Sequence, residues 1–362
     1  MAYTTIDKPE DYFDTTTYTG NGSSQTLSMD NLGMLWMKNR TETSNHVLFD
    51  VVRGGYYTSD PGPELRPNGS TKGSGSDISQ TYGIGFGSSS STIGSDGGGY
   101  NYNQSGKSYV GWQWGANGSG SQNTDGSINT IATSANTTAG FSIVNWTGSG
   151  SSATLGHGLG ATPKMIMVKN LSDAVNWMVY NHSVITPSST NKTFMTLNSS
   201  GAIESNGSAT TFTSVSDTTF GVGTDNIING SSDKMIAYVF AEKQGYSKFD
   251  SFTGNGNNNG TFIYTGFAPA FVMIKKTSGG GDWAMNDIKR DFNTTYGNDA
   301  SIYANTSSAE TTSGSLNIDL LSNGMKLRSD NSDYNASGGT YIYMAFAQNP
   351  FVSSGGVPVT AK

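Results

Sequence analysis

The sequence predicts an all-β protein built from three tandem antiparallel β-sandwich repeats, jelly-roll-like and about a hundred residues each. Three observations lead there. One pattern of segments recurs along the chain, the recurring segments alternate apolar and polar residues with period two, and no useful length keeps helical spacing.

The recurrence is clearest between the second and third copies. "TPKMIMVKN" stands beside "APAFVMIKK" with Pro163 and Pro269 at an offset of 269 − 163 = 106. Trp177 and Trp283 keep that offset, as do Thr147 and Thr253 and also Phe240 and Phe346. A more diverged copy comes first. "YTGNG" at Tyr18 to Gly22 matches the opening segment, "MLWMKN" at Met34 to Asn39 matches "MIMVKN", and "YVGWQW" at Tyr109 to Trp114 matches the closing one.

In each copy the closing segment alternates cleanly. Val110, Trp112 and Trp114 share one face, as do Ile236, Tyr238 and Phe240, and Ile342, Met344 and Phe346. Large apolar groups at every second position describe a strand lying on a core. "MIMVKN" is apolar on both faces, as a central strand of a sandwich would be. "NWMVYN" and "DWAMND" read as further strands after short polar loops. The expected boundaries are residues 1–117 for the first repeat with an N-terminal docking arm, 118–137 for a Gly/Ser/Asn/Thr-rich linker, 138–244 and 245–350 for the second and third repeats, and 351–362 for a C-terminal tail. The linker composition suggests a flexible or extended connection, whereas only "KQGYSKFDS" separates the last two repeats, so these should abut.

Composition narrows the function. A net charge of −7 over 362 residues disfavours a nucleic-acid partner, which would call for a basic face. Charged residues make up 13% and aromatic residues 11%, a balance of turn-rich β structure with real cores rather than of disorder. With no cysteine there are no disulfides, thiolate metal sites or thiol nucleophiles. The opening "MAYTTIDKPEDYFDT" does not read as a secretory signal, and no apolar run approaches the ~18 residues of a membrane span.

"GHGLGATPKMIMVKN" (156–170) has the glycines of a phosphate loop, but they precede a strand and no helix follows, so it reads as a turn. His157 is then a surface turn residue. Candidate acids Asp282, Asp287 and Asp291 lie in "DWAMNDIKRD"; Asp50 and Arg53 match Asp287 and Arg290, while the second copy has Asn181 and Val184. Structural Asp–Arg ion pairs at strand ends are therefore expected rather than acid/base chemistry. Asp330 and Asp333 in "SDNSDYN" read as turn residues rather than calcium ligands. No catalytic, metal or cofactor site is expected. The remaining candidates are Tyr56, Tyr57, Tyr100 and Tyr102, set among glycines in long loops of the first copy. Such rings serve either surface recognition, for instance of a glycan, or packing between domains or subunits.

"AYTTIDKPEDYF", "AGFSIVNWTGSG", "GYSKFDSFTGNG", "LLSNGMKLR" and "YIYMAFAQNPFVSSGGVPVTAK" resemble the tandem-repeat virion structural proteins of marine tailed bacteriophages, and the resemblance spans almost the whole chain. It implies a non-enzymatic component on the exterior of the virion, made in the host cytoplasm without a signal peptide. The role implied is a tail fibre, spike or appendage in host attachment, or alternatively a capsid decoration or head-fibre protein. The partners implied are other virion proteins (a tail adaptor or nozzle, or the capsid protein) and a host-surface glycan. No nucleic acid or membrane insertion is expected, and a homo-oligomer, preferably a trimer, is.

Overall fold

The computed structural model describes residues 3–28, 31, 33–55, 63–73, 83–87, 90–95, 101–205, 207, 209–290, 300–312 and 317–358. Its strands are grouped in three sets. The first holds β1 (Phe13–Thr19), β2 (Gln25–Leu27), β3 (Gly33–Asn39), β4 (Val47–Asp50), β5 (Ile84–Phe86), β6 (Ser91–Ile93) and β7 (Ser108–Gly115). The second holds β8 (Ala132–Asn136), β9 (Phe141–Thr147), β10 (Ala153–Gly156), β11 (Met165–Asn170), β12 (Met178–Asn181), β13 (Met195–Thr196), β14 (Phe212–Val215), β15 (Thr219–Val222) and β16 (Lys234–Phe240). The third holds β17 (Ser247–Thr253), β18 (Phe262–Tyr264), β19 (Phe267–Lys276), β20 (Trp283–Asp287), β21 (Ile302–Tyr303), β22 (Ile318–Leu321), β23 (Gly324–Leu327) and β24 (Thr340–Pro350).

Each set forms a larger antiparallel sheet and a three-stranded one. The larger sheets are ordered β1-β7-β3-β4, β13-β12-β11-β16-β9-β8 and β17-β24-β19-β20-β21; the smaller are β2-β6-β5, β10-β15-β14 and β18-β23-β22. The fold is all-β and sandwich-like. The likeness of the three modules extends to single atoms. A buried asparagine (Asn103, Asn229 or Asn335) pins the Thr-Gly turn that ends each opening strand. Its side-chain oxygen accepts from Asn21 N, Ser149 N or Asn255 N at 3.1, 3.0 and 2.8 Å. Its amide donates to two carbonyls, Ser23 and Gly94, Ser151 and Gly223, or Asn257 and Ser329. An amide suits this place because it satisfies donors and acceptors together inside a dry turn.

The period-two pattern has a fuller explanation than a sandwich core alone. On β24, Tyr341, Tyr343 and Ala345 pack toward β18, β22 and β23 with Ile263, Ile318 and Leu327. The alternate residues Ile342, Met344 and Phe346 enter a different core, shared with Met34, Trp36, Trp112 and Trp114 of the first module and Met165, Met167, Tyr238 and Phe240 of the second. The larger sheets are thus apolar on both faces because each is covered twice, once by its own small sheet and once by its sister modules. At the centre stand three residues in equivalent positions, one from each closing strand. Trp114 lies 6.4 Å from Phe240 and 5.7 Å from Phe346, and Phe240 lies 6.1 Å from Phe346, ring centre to ring centre. They mark a pseudo-threefold axis.

Several expectations change accordingly. The modules are not strung in series; they close around one core. The expected linker 118–137 is ordered. Its end forms β8, which pairs with β9 over Ala132–Asn136, and Ser121 and Ile128 make further bridges to Thr133 and Leu155. The expected docking arm folds onto its own chain. Ile6 is buried in the shared core, Tyr3 Oη donates to Gly266 O at 2.7 Å, and Asp7 accepts from Ser354 N at 2.7 Å. That last bond also fixes the C-terminal tail, whose Val352 and Pro358 bridge one another.

Candidate functional site

The groups that chemistry would normally use converge on the seams between modules, and there they act as pins. Residues 46, 177 and 283 hold one position in the three modules. Trp177 Nε1 donates to Arg66 O of the first module at 3.1 Å, and Trp283 Nε1 donates to Thr196 O of the second at 3.0 Å. His46 Nε2 lies 3.0 Å from Tyr303 O of the third. Second grips first, third grips second, and first grips third, so the ring is closed.

A buried lysine follows the same rule. Lys169 Nζ donates to Ser70 O at 3.3 Å and Val175 O at 2.8 Å, and Lys275 Nζ to Ser200 O at 3.0 Å and Gly281 O at 2.7 Å. In the first module Lys38 Nζ donates to Asn39 O at 2.6 Å, and the seam is completed by Arg40, whose Nε and Nη2 grip Glu310 at 2.9 and 2.8 Å. Burial pulls all three lysines down to about 8. Burial alone would raise Glu310, but Arg40 and Arg290 hold it below the usual carboxylate range.

The Asp–Arg pairs are present as ion pairs. Arg53 Nε donates to Asp50 at 2.7 Å and Arg290 Nε to Asp287 at 2.6 Å. Each carboxylate also accepts from the closing strand of a neighbouring module, Asp50 from Tyr238 Oη at 2.7 Å and Asp287 from Trp112 Nε1 at 2.9 Å. The residue equivalent to Tyr238 and Trp112 in the third module is Met344, which has no proton to donate. The corresponding pair is there replaced by Asn181 and Val184. Two seams carry an Asp–Arg pair and the third does without, in keeping with its absence from one copy.

Tyr102 is buried, with its ring edge-on to Phe49 at 5.8 Å, so its side chain belongs to the first module's core and not to a recognition surface. Tyr56, Tyr57 and Tyr100 lie outside the described residues, as does Asp291. His157 does stand in a turn, with Gly158 and Gly160 at φ 68° and 62°, but it is buried rather than on the surface. Its Nδ1 accepts from Leu159 N at 3.2 Å and organises the turn from inside, and burial lowers its pKa. Asp282 accepts from Asn305 Nδ2 at 2.7 Å and donates its own backbone N–H to Asp333 at 3.2 Å. Among the described residues no group of three or more His, Asp or Glu could hold a metal ion. Sequence reasoning missed the seam lysines and His46; their recurrence at Lys38, Lys169 and Lys275 was the available signal.

The family model described as "Domain of unknown function (DUF7483)" matches residues 8–350. The chain belongs to the DUF7483 family. The match takes in all three modules of this DUF7483 chain as one unit, in keeping with their common core. No curated protein and no solved structure matches it.

The seam of the first and third modules is expected to make the DUF7483 chain sensitive to acid. Trp36 Nε1 donates to His46 Nδ1 at 2.8 Å, so the ring is neutral. Burial, followed by Lys38 and Arg290, pushes His46 from 6.5 down to about 3, against the weaker pull of backbone carbonyls. Because the folded pKa lies below the unfolded one, this contribution is complete above about pH 6.5 and is lost as pH falls toward 3. The other two modules carry Met167 with Trp177 and Met273 with Trp283 at these two positions. The double variant Trp36→Met, His46→Trp is therefore expected to lose about 2–3 kcal/mol less stability than the parent between pH 7 and pH 4.5. Urea unfolding at the two pH values measures this, and equal losses in the two proteins would refute it.

Proposed function

We propose that the chain is a non-enzymatic bacteriophage virion structural protein, an exterior appendage component of tail-fibre or spike type that takes part in host-surface attachment. The observation that carries this reading is where the buried polar groups are used: Lys169, Lys275, Trp177, Trp283, His46 and both Asp–Arg pairs hold modules together. Such groups suit an inert block that must survive outside a cell. The sequence resemblance to virion proteins supports the biological setting, with other virion proteins and a host-surface glycan as partners and a homo-oligomer as the assembled form.

Binding of the purified protein to host cells, competed by isolated surface glycan, tests the attachment role; no binding at millimolar protein would remove it. Compact closure around an axis favours a second reading, capsid decoration. A block of pseudo-threefold form fits a position between capsomers as well as the end of a tail. A reconstruction of the virion separates the two, since density on the capsid shell selects decoration and density on the tail selects the appendage.

A further inference from the structure

The pseudo-threefold arrangement allows the same groove to be compared three times. It lies beside the free edge of each module's opening strand, against the residues that follow the previous module's closing strand. In the second module it is filled by a strand. β8 lies on β9 with Ser134 opposite Ile143 and Ala135 opposite Ser142. Ser134 also reaches the far wall, its Oγ accepting from Asn117 N at 2.8 Å and donating to Gly118 O at 2.6 Å. In the third module the short connection fills the place, and Glu242 accepts from Phe249 N at 3.4 Å.

In the first module no described residue fills the place. Phe13, Asp14 and Thr15 of β1 are the counterparts of Phe141, Ser142 and Ile143. Beside them lies a cleft of ≈ 300 Å³ whose far wall includes Gln348 and Asn349, the counterparts of Ala116 and Asn117, with Ala270 and Lys289 closing it. One feature of the cleft is that of a strand site without its strand. Thr15 N–H, at the position that faces β8 in the second module, is held at 2.8 Å by the carboxylate of the preceding Asp14. Thr15 Oγ1 is sealed from solvent on the core side of β1, without a hydrogen-bond partner among the described residues. Open edges are commonly blunted by a charged side chain, and here that side chain holds a donor which a strand would otherwise take.

We infer that the groove between β1 and the end of β24 is a strand-acceptor site for an extended segment of another polypeptide chain, seated antiparallel to β1 in the manner of β8. The preferred segment has the chemistry of Ala132–Asn136: small, uncharged residues with a hydroxyl at the position of Ser134, able to meet the backbone beside Asn349. Main-chain hydrogen bonds would supply affinity and the narrow groove would select small side chains, as in other strand-addition sites. The inference stands whether or not the chain is a virion component.

The test uses the full chain and a labelled peptide, INTIATSAN, copied from residues 128–136. Saturable binding is expected by fluorescence anisotropy. It should weaken at least tenfold when the peptide carries proline in place of Ser134, and at least tenfold in the protein variant Ala270→Trp, which fills the groove. Asp14→Ala, which releases Thr15 N–H, should tighten it several-fold. Since a free peptide can bind weakly, the same nine residues are also fused to the C-terminus through a flexible linker, which raises the effective concentration to about millimolar. Slowed amide exchange at Thr15 and Thr16 is expected in the fusion. Binding indifferent to Ala270→Trp, or no binding together with unchanged exchange in the fusion, would overturn the inference. Binding that appears only after residues 359–362 are removed would overturn it in favour of the chain's own end.

Discussion

Phe346→Ala is expected to lower stability by about 3–5 kcal/mol, the usual cost of emptying a large aromatic site in a close-packed core, and to do so for all three modules in one transition. The ring stands where the modules meet. Its centre is 5.0 Å from Phe13 and 5.7 Å from Trp114 of the first module, 6.1 Å from Phe240 of the second, and 5.8 Å from Phe249 of its own. No single module can collapse into the space, because its walls belong to three sheets. Denaturant unfolding followed by tryptophan emission together with amide exchange resolved along the chain provides the check. Exchange should accelerate equally in β7, β16 and β24. Loss confined to residues 247–350 would mean that the modules are held up separately.

Arg290→Met is the second large effect, an expected loss of about 3–5 kcal/mol, because removing one partner leaves buried charge uncompensated. The guanidinium is fully buried and joined to Asp287 at 2.6 Å, Glu310 at 3.0 Å and Met285 O at 2.9 Å, with its centre 5.4 Å above the Trp112 ring. The second module supplies the control. Its residues Asn181 and Val184 show that the position tolerates a neutral pair. Arg290→Val combined with Asp287→Asn should therefore recover most of the loss, since Trp112 Nε1 can still donate to the new amide oxygen and Glu310 keeps Arg40. Urea unfolding of the three proteins decides it. A double variant no more stable than Arg290→Met would show that the arginine acts through packing alone.

The closing strands are legible in the sequence because large apolar residues recur at every second position, as in Ile342, Met344 and Phe346, although the positions between them are buried as well. The closure was harder to read. Apolar residues on both faces of "MIMVKN" carried the signal, but a strand inside one sandwich and a strand between two cores look the same in composition. The seam contacts of His46, Trp177 and Trp283 leave almost no trace, because one side of each is a backbone carbonyl, at Arg66, Thr196 or Tyr303, and the other side varies between histidine and tryptophan. The segment 118–137 misleads for a related reason. Ala132-Thr133-Ser134-Ala135-Asn136 has the small hydroxyl-bearing residues of a flexible linker, and those same residues fit a narrow groove where Ser134 binds backbone. Tyr102 and His157 were placed by their glycine neighbours, which report a turn and say nothing of whether the side chain between them points in or out.

The central claim is that the three modules close on one another around a single axis. Small-angle X-ray scattering of the monomer tests it most directly. For a compact chain of 362 residues the expected radius of gyration is about 21 Å. Modules strung end to end would span roughly 100 Å and give a value near ~30 Å or above, which would contradict the closed ring.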